Sequence, residues 1–418
     1  MKVGFVGLGK LGLPVALAIE QKGHTVFGWD INPKVRDNII KRYIPYVEEG
    51  SDVALLNSEI EIGDIPIIVR DADIIFISVQ TPHEPEFEGV TPLSDMRSDF
   101  DYSYLIDAVV KVANEAVLQE KNIALVIIST VLPTTIDRHI RPRLNQFVHL
   151  AYNPAFIAMG TTMKDFLNPE FVLCGVDSRF TANKLKFFYR TITDAPFVEM
   201  NIAEAELTKV AYNTFIGMKI IFANTLMEIC YRIGGMNVDV VTDALKMAKR
   251  RLISPAYLSG GMGDGGGCHP RDNIALSWLA REFGLYHDIF SDIMECREDQ
   301  ALFLAHFIQH VSLTRNKNLP IMILGYTFKP ETNLTVGSPA ILLKNLLKDG
   351  LLIEAEMSDP FVDDGSSISP VTASPKIFFI GTKHAEFAEY QFPTGSVVID
   401  PFRYIPDQEG VEVIRIGA

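Results

Sequence analysis

Cysteine is scarce: Cys174, Cys230, Cys268 and Cys296 are the four thiols in 418 residues, and they lie far apart. That excludes a disulfide framework and points to a reducing, cytoplasmic compartment, so each thiol is read singly. Positive charge is short as well, with 38 Lys and Arg against 52 Asp and Glu and a net charge of −14. A surface so acidic lacks the basic stripe that nucleic acid or anionic lipid requires. An anionic ligand would have to be met by a few placed cations. No apolar run reaches the ~20 residues of a membrane-spanning helix. No His, Cys, Asp and Glu cluster has metal-ligand spacing, so no metal is expected. Short internal repeats and low-complexity tracts are missing too. What remains is an ordinary globular composition, 48% apolar and 22% charged, long enough for two or three domains at ~150 residues each.

The first sixteen residues carry a basic residue near the start, Lys2, a second at Lys10, and an apolar run, as signal peptides do, but no clean cleavage region follows. Gly7, Gly9 and Gly12 interrupt that run in G-x-G-x-x-G order, directly after a strand-like Lys2–Val6. A helix-like Leu13–Gln21 and a second strand, His24–Asp30, come next. In this context Gly7 allows a tight turn, Gly9 lets backbone approach a pyrophosphate, and Gly12 lets the helix pack close. The helix N-terminus then faces the phosphates. Asp30 ends the second strand, placed to accept from a ribose 2′-hydroxyl and to repel a 2′-phosphate. The pattern therefore reads as a dinucleotide site for NAD in preference to NADP.

Further short apolar runs, at 73–79, 124–130 and 147–151, alternate with helix-like segments such as 104–120. Repeated βα units of this kind predict a doubly wound parallel sheet. The acidic, proline-bearing segment 80–89 reads as a solvated loop or a flap near the cofactor. From 201 to about 233 a proline-free helical pattern runs for some thirty residues, ~45 Å long, and its apolar character suggests a subunit interface. A glycine-rich loop, 259–268, and more helix to about 313 follow. A second βα start appears at 319–330, with strands expected at 352–356, 376–380 and 396–399. The fold class is therefore α/β: two Rossmann-like doubly wound parallel-sheet domains joined by a long central helix and a helical middle domain. The corresponding boundaries are 1–200, 201–313 and 314–418.

Cys268 follows six glycines in nine residues. Glycines let backbone N–H dipoles converge, which favours a thiolate and any oxyanion beside it. Asp272, four residues on, is near enough to tune the thiol; the plain alternative is a small buried cysteine after a loop. His269 adjoins Cys268, but adjacent residues rarely face each other in one turn. Cys174, Cys230 and Cys296 lie in apolar contexts and read as structural. Lys209 and Asn213 stand one turn apart on the long helix, where they either face solvent or serve a developing alkoxide.

Taken together these strings resemble the UDP-glucose and GDP-mannose dehydrogenases, the nucleotide-sugar 6-dehydrogenase family, over essentially the full length. The strings are Gly7-Leu-Gly-Lys-Leu-Gly-Leu-Pro14, Val79-Gln-Thr-Pro82, Ser129-Thr-Val131 and Glu206-Leu-Thr-Lys-Val-Ala-Tyr-Asn213. They continue with Gly261-Met-Gly-Asp-Gly-Gly-Gly-Cys-His-Pro-Arg-Asp272 and Gly325-Tyr-Thr-Phe-Lys-Pro-Glu-Thr332, then Ser338-Pro339. The resemblance implies oxidation of a sugar C6 alcohol to a uronate with two NAD in succession, through a thiohemiacetal and a thioester on Cys268. It implies catalytic roles for Cys268, Lys209, Asn213, Asp272 and Thr130. Cofactor contacts would fall on Gly7, Gly9, Lys10, Leu11, Gly12, Asp30, Thr81, Thr130 and Lys329. Nucleotide-sugar contacts would fall on Lys209, Asn213, Arg251, Tyr257, Gly261, Gly263, Gly265, Phe328, Lys329 and Arg403, with a UDP-sugar favoured over a GDP-sugar and Arg251 reaching a partner's site in a homodimer.

Three departures from the family pattern stand out. Ala155 and Met159 occupy positions where the family carries glutamates, the first of them an acid/base in thioester hydrolysis. Asn333-Leu-Thr-Val-Gly337 replaces a run holding a phosphate-contacting arginine. Asp400-Pro-Phe-Arg403 sets one substrate arginine a position later. Two other readings stay open. One is a β-hydroxyacid dehydrogenase, which needs neither the cysteine nor a second α/β lobe; the other is a catalytically impaired nucleotide-sugar binder.

Overall fold

Two sheets organise the computed structural model, which describes all residues except 93–95, 250–256, 258, 264–265, 283, 285–287, 316–318 and 364–373, and except the side chains of 225, 229 and 232. By contact the chain divides into two compact units, residues 1–82 with 100–211, and residues 83–99 with 212–418.

The first unit holds eight strands: β1 (Lys2–Val6), β2 (Thr25–Trp29), β3 (Glu61–Ile62), β4 (Ile74–Ile77), β5 (Ile123–Ile127), β6 (Val148–Tyr152), β7 (Val172–Val176) and β8 (Phe197–Met200). Their order is β3-β2-β1-β4-β5-β6-β7-β8. The order turns outward in both directions from β1 and β4, as in a doubly wound sheet. Central strands β4 and β5 are buried along their whole length, because helices cover both faces of a parallel sheet. The one departure is β7, which runs antiparallel to β6, pairing Ala151 with Val176 and Tyr152 with Gly175. The core includes Val3, Phe5, Val15, Leu17, Ile74, Phe76 and Phe188.

The second unit carries a five-stranded parallel sheet: β9 (Ile321–Leu324), β10 (Ala355–Ser358), β11 (Ile377–Ile380), β12 (Val397–Asp400) and β13 (Glu412–Arg415), in the order β10-β9-β11-β12-β13. The helices Ile289–Thr314 and Pro339–Asn345 put Leu304, Ile308, Ala340 and Leu343 into one core with Ile323, Phe379 and Ile399. The long helix Ile202–Ile233 runs from one unit into the other.

Two local expectations are corrected. Residue 352 does not begin a strand: Leu352 has φ +56 and is 89% exposed, and β10 starts at Ala355. The segment 80–89 is a solvated loop only in part, with Gln80, Glu84, Pro85 and Glu86 exposed. From residue 83 it packs into the second unit, where Phe87 is buried with Ile274 and Met294 and the Asn345 side-chain amide donates to the Val90 carbonyl. Burial there pushes the His83 imidazole down to about 4. Among the described residues no helix is long and apolar enough to cross a membrane, and no group of three or more His, Cys, Asp and Glu could hold a metal.

Candidate active site

In the first unit β1 ends in the glycine turn. Gly7 has φ +98, and a Cβ there would lie 2.9 Å from the Ser78 backbone; a Cβ on Gly12 would lie 2.2 Å from the Gly7 carbonyl oxygen. Side chains at either position would force the strand and helix apart. Gly9 faces open space, with nothing within 4 Å of its built Cβ. Lys10 is exposed and Leu11 half-buried, just ahead of the helix Gly12–Gln21. Asp30 accepts the Leu8 N–H at 2.7 Å and the Asn32 N–H at 2.9 Å, one on each oxygen. Each oxygen keeps a lone pair for a hydroxyl. The open face at Gly9, the helix start at Gly12 and the two-oxygen acceptor at Asp30 fit a dinucleotide. After β4, the buried Thr81 hydroxyl donates to the Thr130 carbonyl at 2.8 Å, which ties the loops that follow β4 and β5.

The same unit holds Lys209, 8% exposed on the long helix, so the solvent-facing alternative is corrected. Its ammonium donates to the Ala155 carbonyl at 3.1 Å and lies 5.1 Å from the Phe156 ring centroid. One turn earlier is a residue that sequence reasoning had quoted only inside a motif. Glu206, 1% exposed, accepts the Thr134 N–H at 2.7 Å and the Ile136 N–H at 2.8 Å. Burial pushes its carboxyl up to about 7, against the pull of those two donors and with help from Asp137.

In the second unit Cys268 is the first residue of the helix Cys268–Glu282, and it is exposed. Asp272, one turn on, is 0% exposed. The Asn213 amide donates to one of its oxygens at 2.5 Å, and Arg271 donates to the other at 3.2 Å. The four-residue spacing from Cys268 to Asp272 thus puts an oriented carboxyl group on the thiol's helix face. His269 is buried.

The preceding loop is held by a side chain that went unnoticed in the sequence. Asn224, 5% exposed, accepts the Gly261 N–H at 3.0 Å and donates to the Gly263 carbonyl at 3.2 Å. Its one signal was position: it lies three turns after Asn213 on the long helix, hence on the same face. Gln300 donates to the Gly261 carbonyl at 3.3 Å. The glycines are there for close packing: a Cβ on Gly263 would lie 2.6 Å from Pro339, and one on Gly266 would lie 2.4 Å from the Phe328 ring. So the loop abuts Phe328, whose ring is 5.8 Å from the Lys329 ammonium.

Tyr257 is described, exposed and at φ +63, whereas Arg251 and Gly265 lie outside the described residues. Arg403 is a hub: it pairs with Asp239 at 2.7 and 2.8 Å and donates to the carbonyls of Gly260, Pro401 and Ile416. Cys296, read from the sequence as structural, is exposed. It lines a cavity of about 90 Å³ with Asn224, Gly263 and Arg297. Partial burial and the acids Asp299, Asp292 and Glu295 raise its thiol pKa.

Residues 1–193 match the model of the UDP-glucose/GDP-mannose dehydrogenase family, NAD binding domain, and residues 203–298 match that of the family's central domain. A UDP-glucose 6-dehydrogenase of Rickettsia conorii is 28% identical over 99% of this chain and 98% of its own. A GDP-mannose 6-dehydrogenase of Pseudomonas aeruginosa is 27% identical over 83% of this chain and 78% of its own. In fold, the chain is similar to a UDP-glucose dehydrogenase from Pyrobaculum islandicum, with TM-score 0.86 at 24% identity, covering 100% of this chain and 97% of that one.

Proposed function

The chain belongs to the UDP-glucose/GDP-mannose dehydrogenase family, with NAD as its cofactor, and from that premise we propose that it oxidises the C6 alcohol of a UDP-hexose to the carboxylate in one four-electron course. The observation that carries this reading is the Cys268 helix: an exposed thiol at its N-terminus, and one turn on a fully buried Asp272 bound by Asn213 at 2.5 Å. A β-hydroxyacid dehydrogenase would need neither.

NAD, when bound, takes the hydride lost from C6 in each oxidation. Gly7, Gly9, Lys10, Leu11, Gly12, Asp30, Thr81 and Thr130 would hold it, and Lys329, expected from the sequence to touch both ligands, is assigned here to the nucleotide-sugar. Lys209 donates to the C6 oxygen as negative charge develops there. The Cys268 thiolate adds to the aldehyde carbon, forming a C–S bond and a thiohemiacetal oxyanion. Loss of the second hydride leaves a thioester. Water then adds to the carbonyl, the C–S bond breaks, and the thiolate leaves with the uronate released. With Ala155 and Met159 in place of carboxylates, we assign the handling of that water to Asp272, oriented by Asn213. Lys329, Phe328, Tyr257 and the Gly261–Gly265 loop meet the nucleotide-sugar; Arg403 acts through Gly260, and Arg251 serves the neighbouring subunit.

A homodimer is part of this reading. Phe215, Met218 and Phe222, at three- and four-residue spacing on the long helix, are 44%, 38% and 52% exposed, an apolar stripe suited to a second copy. The four free cysteines fit a cytoplasmic setting. The functional segments are residues 1–200 for NAD, 201–313 for the thiol and the interface, and 314–418 for the nucleotide-sugar.

The second reading, an impaired binder, is favoured by one fact alone: Lys209 meets a carbonyl at Ala155, with no carboxylate at that position. Mixing the protein with NAD and a panel of UDP-, GDP- and dTDP-hexoses and following NADH absorbance separates the two. NADH with a UDP-hexose is the expected outcome; silence across the panel supports the binder.

A further inference from the structure

The turn after β9 carries Phe328 and Lys329, and both of its ends are tied to one side chain. His384, 0% exposed, meets the Glu331 N–H through Nδ1 at 3.3 Å; through Nε2 it meets Thr327 Oγ1 and Asp359 Oδ2, each at 3.2 Å. A backbone N–H can only donate, so Nδ1 is the bare acceptor nitrogen and Nε2 bears the hydrogen. The Thr327 hydroxyl passes its own hydrogen to the Lys329 carbonyl at 3.0 Å. Asp359, which follows β10, accepts the N–H groups of Tyr326 at 2.7 Å and Thr327 at 2.9 Å. The Thr382 hydroxyl donates to the Thr327 carbonyl at 2.6 Å.

The imidazole is locked in place. Phe361 stacks on it at 4.8 Å and 17°, and Phe387 meets it edge-on at 5.3 Å. Glu331 has φ +58, a left-handed backbone that a glutamate holds only when its surroundings impose it. The Nδ1 contact is what holds that N–H. Asp30 in the first sheet has the comparable place, at the end of the second strand. There it accepts only the N–H groups of Leu8 and Asn32 and offers its remaining lone pairs to a ligand. In the second sheet Asp359 stands at that place, and His384 takes the lone pair that Asp30 leaves open.

We propose that His384 is a positioning residue for the nucleotide: its Nε2–H imidazole clamps Thr327 and Glu331, and so aims Phe328 and Lys329 at the nucleoside diphosphate of the substrate. This rests on the reading above that the turn contacts the nucleotide-sugar. A histidine that merely fills the core would affect folding without singling out one ligand.

The test titrates the full chain with UDP by calorimetry, with NAD as the control ligand. His384→Ala weakens UDP by about tenfold or more, the loss of roughly one well-made hydrogen bond, while NAD affinity stays within about twofold. His384→Asn, whose Oδ1 falls where Nδ1 stood and again accepts the Glu331 N–H but which places no group at Nε2, binds UDP about threefold more tightly than the alanine variant and about threefold more weakly than the wild type. UDP affinity unchanged in His384→Ala, or UDP and NAD weakened by the same factor, overturns the proposal. Should the alanine variant fail to fold, His384→Asn decides alone: UDP weakened threefold or more with NAD unchanged supports it, and unchanged UDP overturns it. Lys329→Ala keeps the two readings apart. UDP weakened by Lys329→Ala but not by His384→Ala overturns only the clamp. A wild-type chain that binds neither UDP nor GDP overturns both.

Discussion

Cys268 begins its helix, at the positive end of the macrodipole. A hydroxyl in its place lacks both the nucleophilicity and the accessible anion of a thiolate. Cys268→Ser is therefore expected to cut uronate output by about 1000-fold or more with NAD affinity unchanged, as quantified by product chromatography and a cofactor titration. Uronate at the wild-type rate would remove the thiol from the mechanism. Glu206 gives a pH-dependent prediction. Burial raises its carboxyl from 4.5 to about 7, so the folded state favours the neutral form. The stability it contributes is present below pH 4.5 and is lost as pH rises from there to about 7. Glu206→Gln is neutral throughout. The wild-type Tm minus the variant Tm should fall across that interval and level off above it, by calorimetry at four pH values; a difference that stays flat or rises contradicts the assignment.

At the scale of elements, the glycine loop depends on the long helix through Asn224. Asn224→Ala strands the buried Gly261 N–H, which costs about 1–3 kcal/mol. It should lower Tm and raise KM for the nucleotide-sugar several-fold, with KM for NAD unchanged in steady-state kinetics. Gly266→Ala should act more severely on the same parameter, because its Cβ would lie 2.4 Å from the Phe328 ring and its φ is +110. Elements such as β1, β4, β5 and β11 were legible in the sequence because strands buried on both faces are continuous apolar runs. The edge strands β8 and β13, half-exposed and of mixed polarity, left no such trace. The antiparallel course of β7 was invisible because an apolar run carries no direction. In the site, Gly7, Asp30, Cys268 and Asp272 were readable, since their meaning lies in local spacing. Glu206, Asn224 and His384 were not. Their partners lie 25 to 72 residues away along the chain, and a polar side chain inside an apolar stretch does not announce what it will meet.

For the whole molecule, the shortage of basic residues now has a local answer. A chain of net charge −14 is expected to meet a nucleoside diphosphate through backbone N–H groups and a few fixed cations, Lys209 and Lys329 among them. The missing carboxylates at Ala155 and Met159 bear on the last step of the course. If Asp272 handles the water less well than a dedicated base, the Cys268 thioester should accumulate during turnover, visible in acid-quenched protein as a mass increase of one nucleotide-uronyl group. The most direct test of the central claim is stoichiometry. With UDP-glucose limiting and NAD in excess, NADH formed and sugar consumed are measured to completion in one vessel. Four-electron oxidation through Cys268 predicts two NADH per sugar, with uronate as product. One NADH per sugar, with aldehyde released, would contradict it.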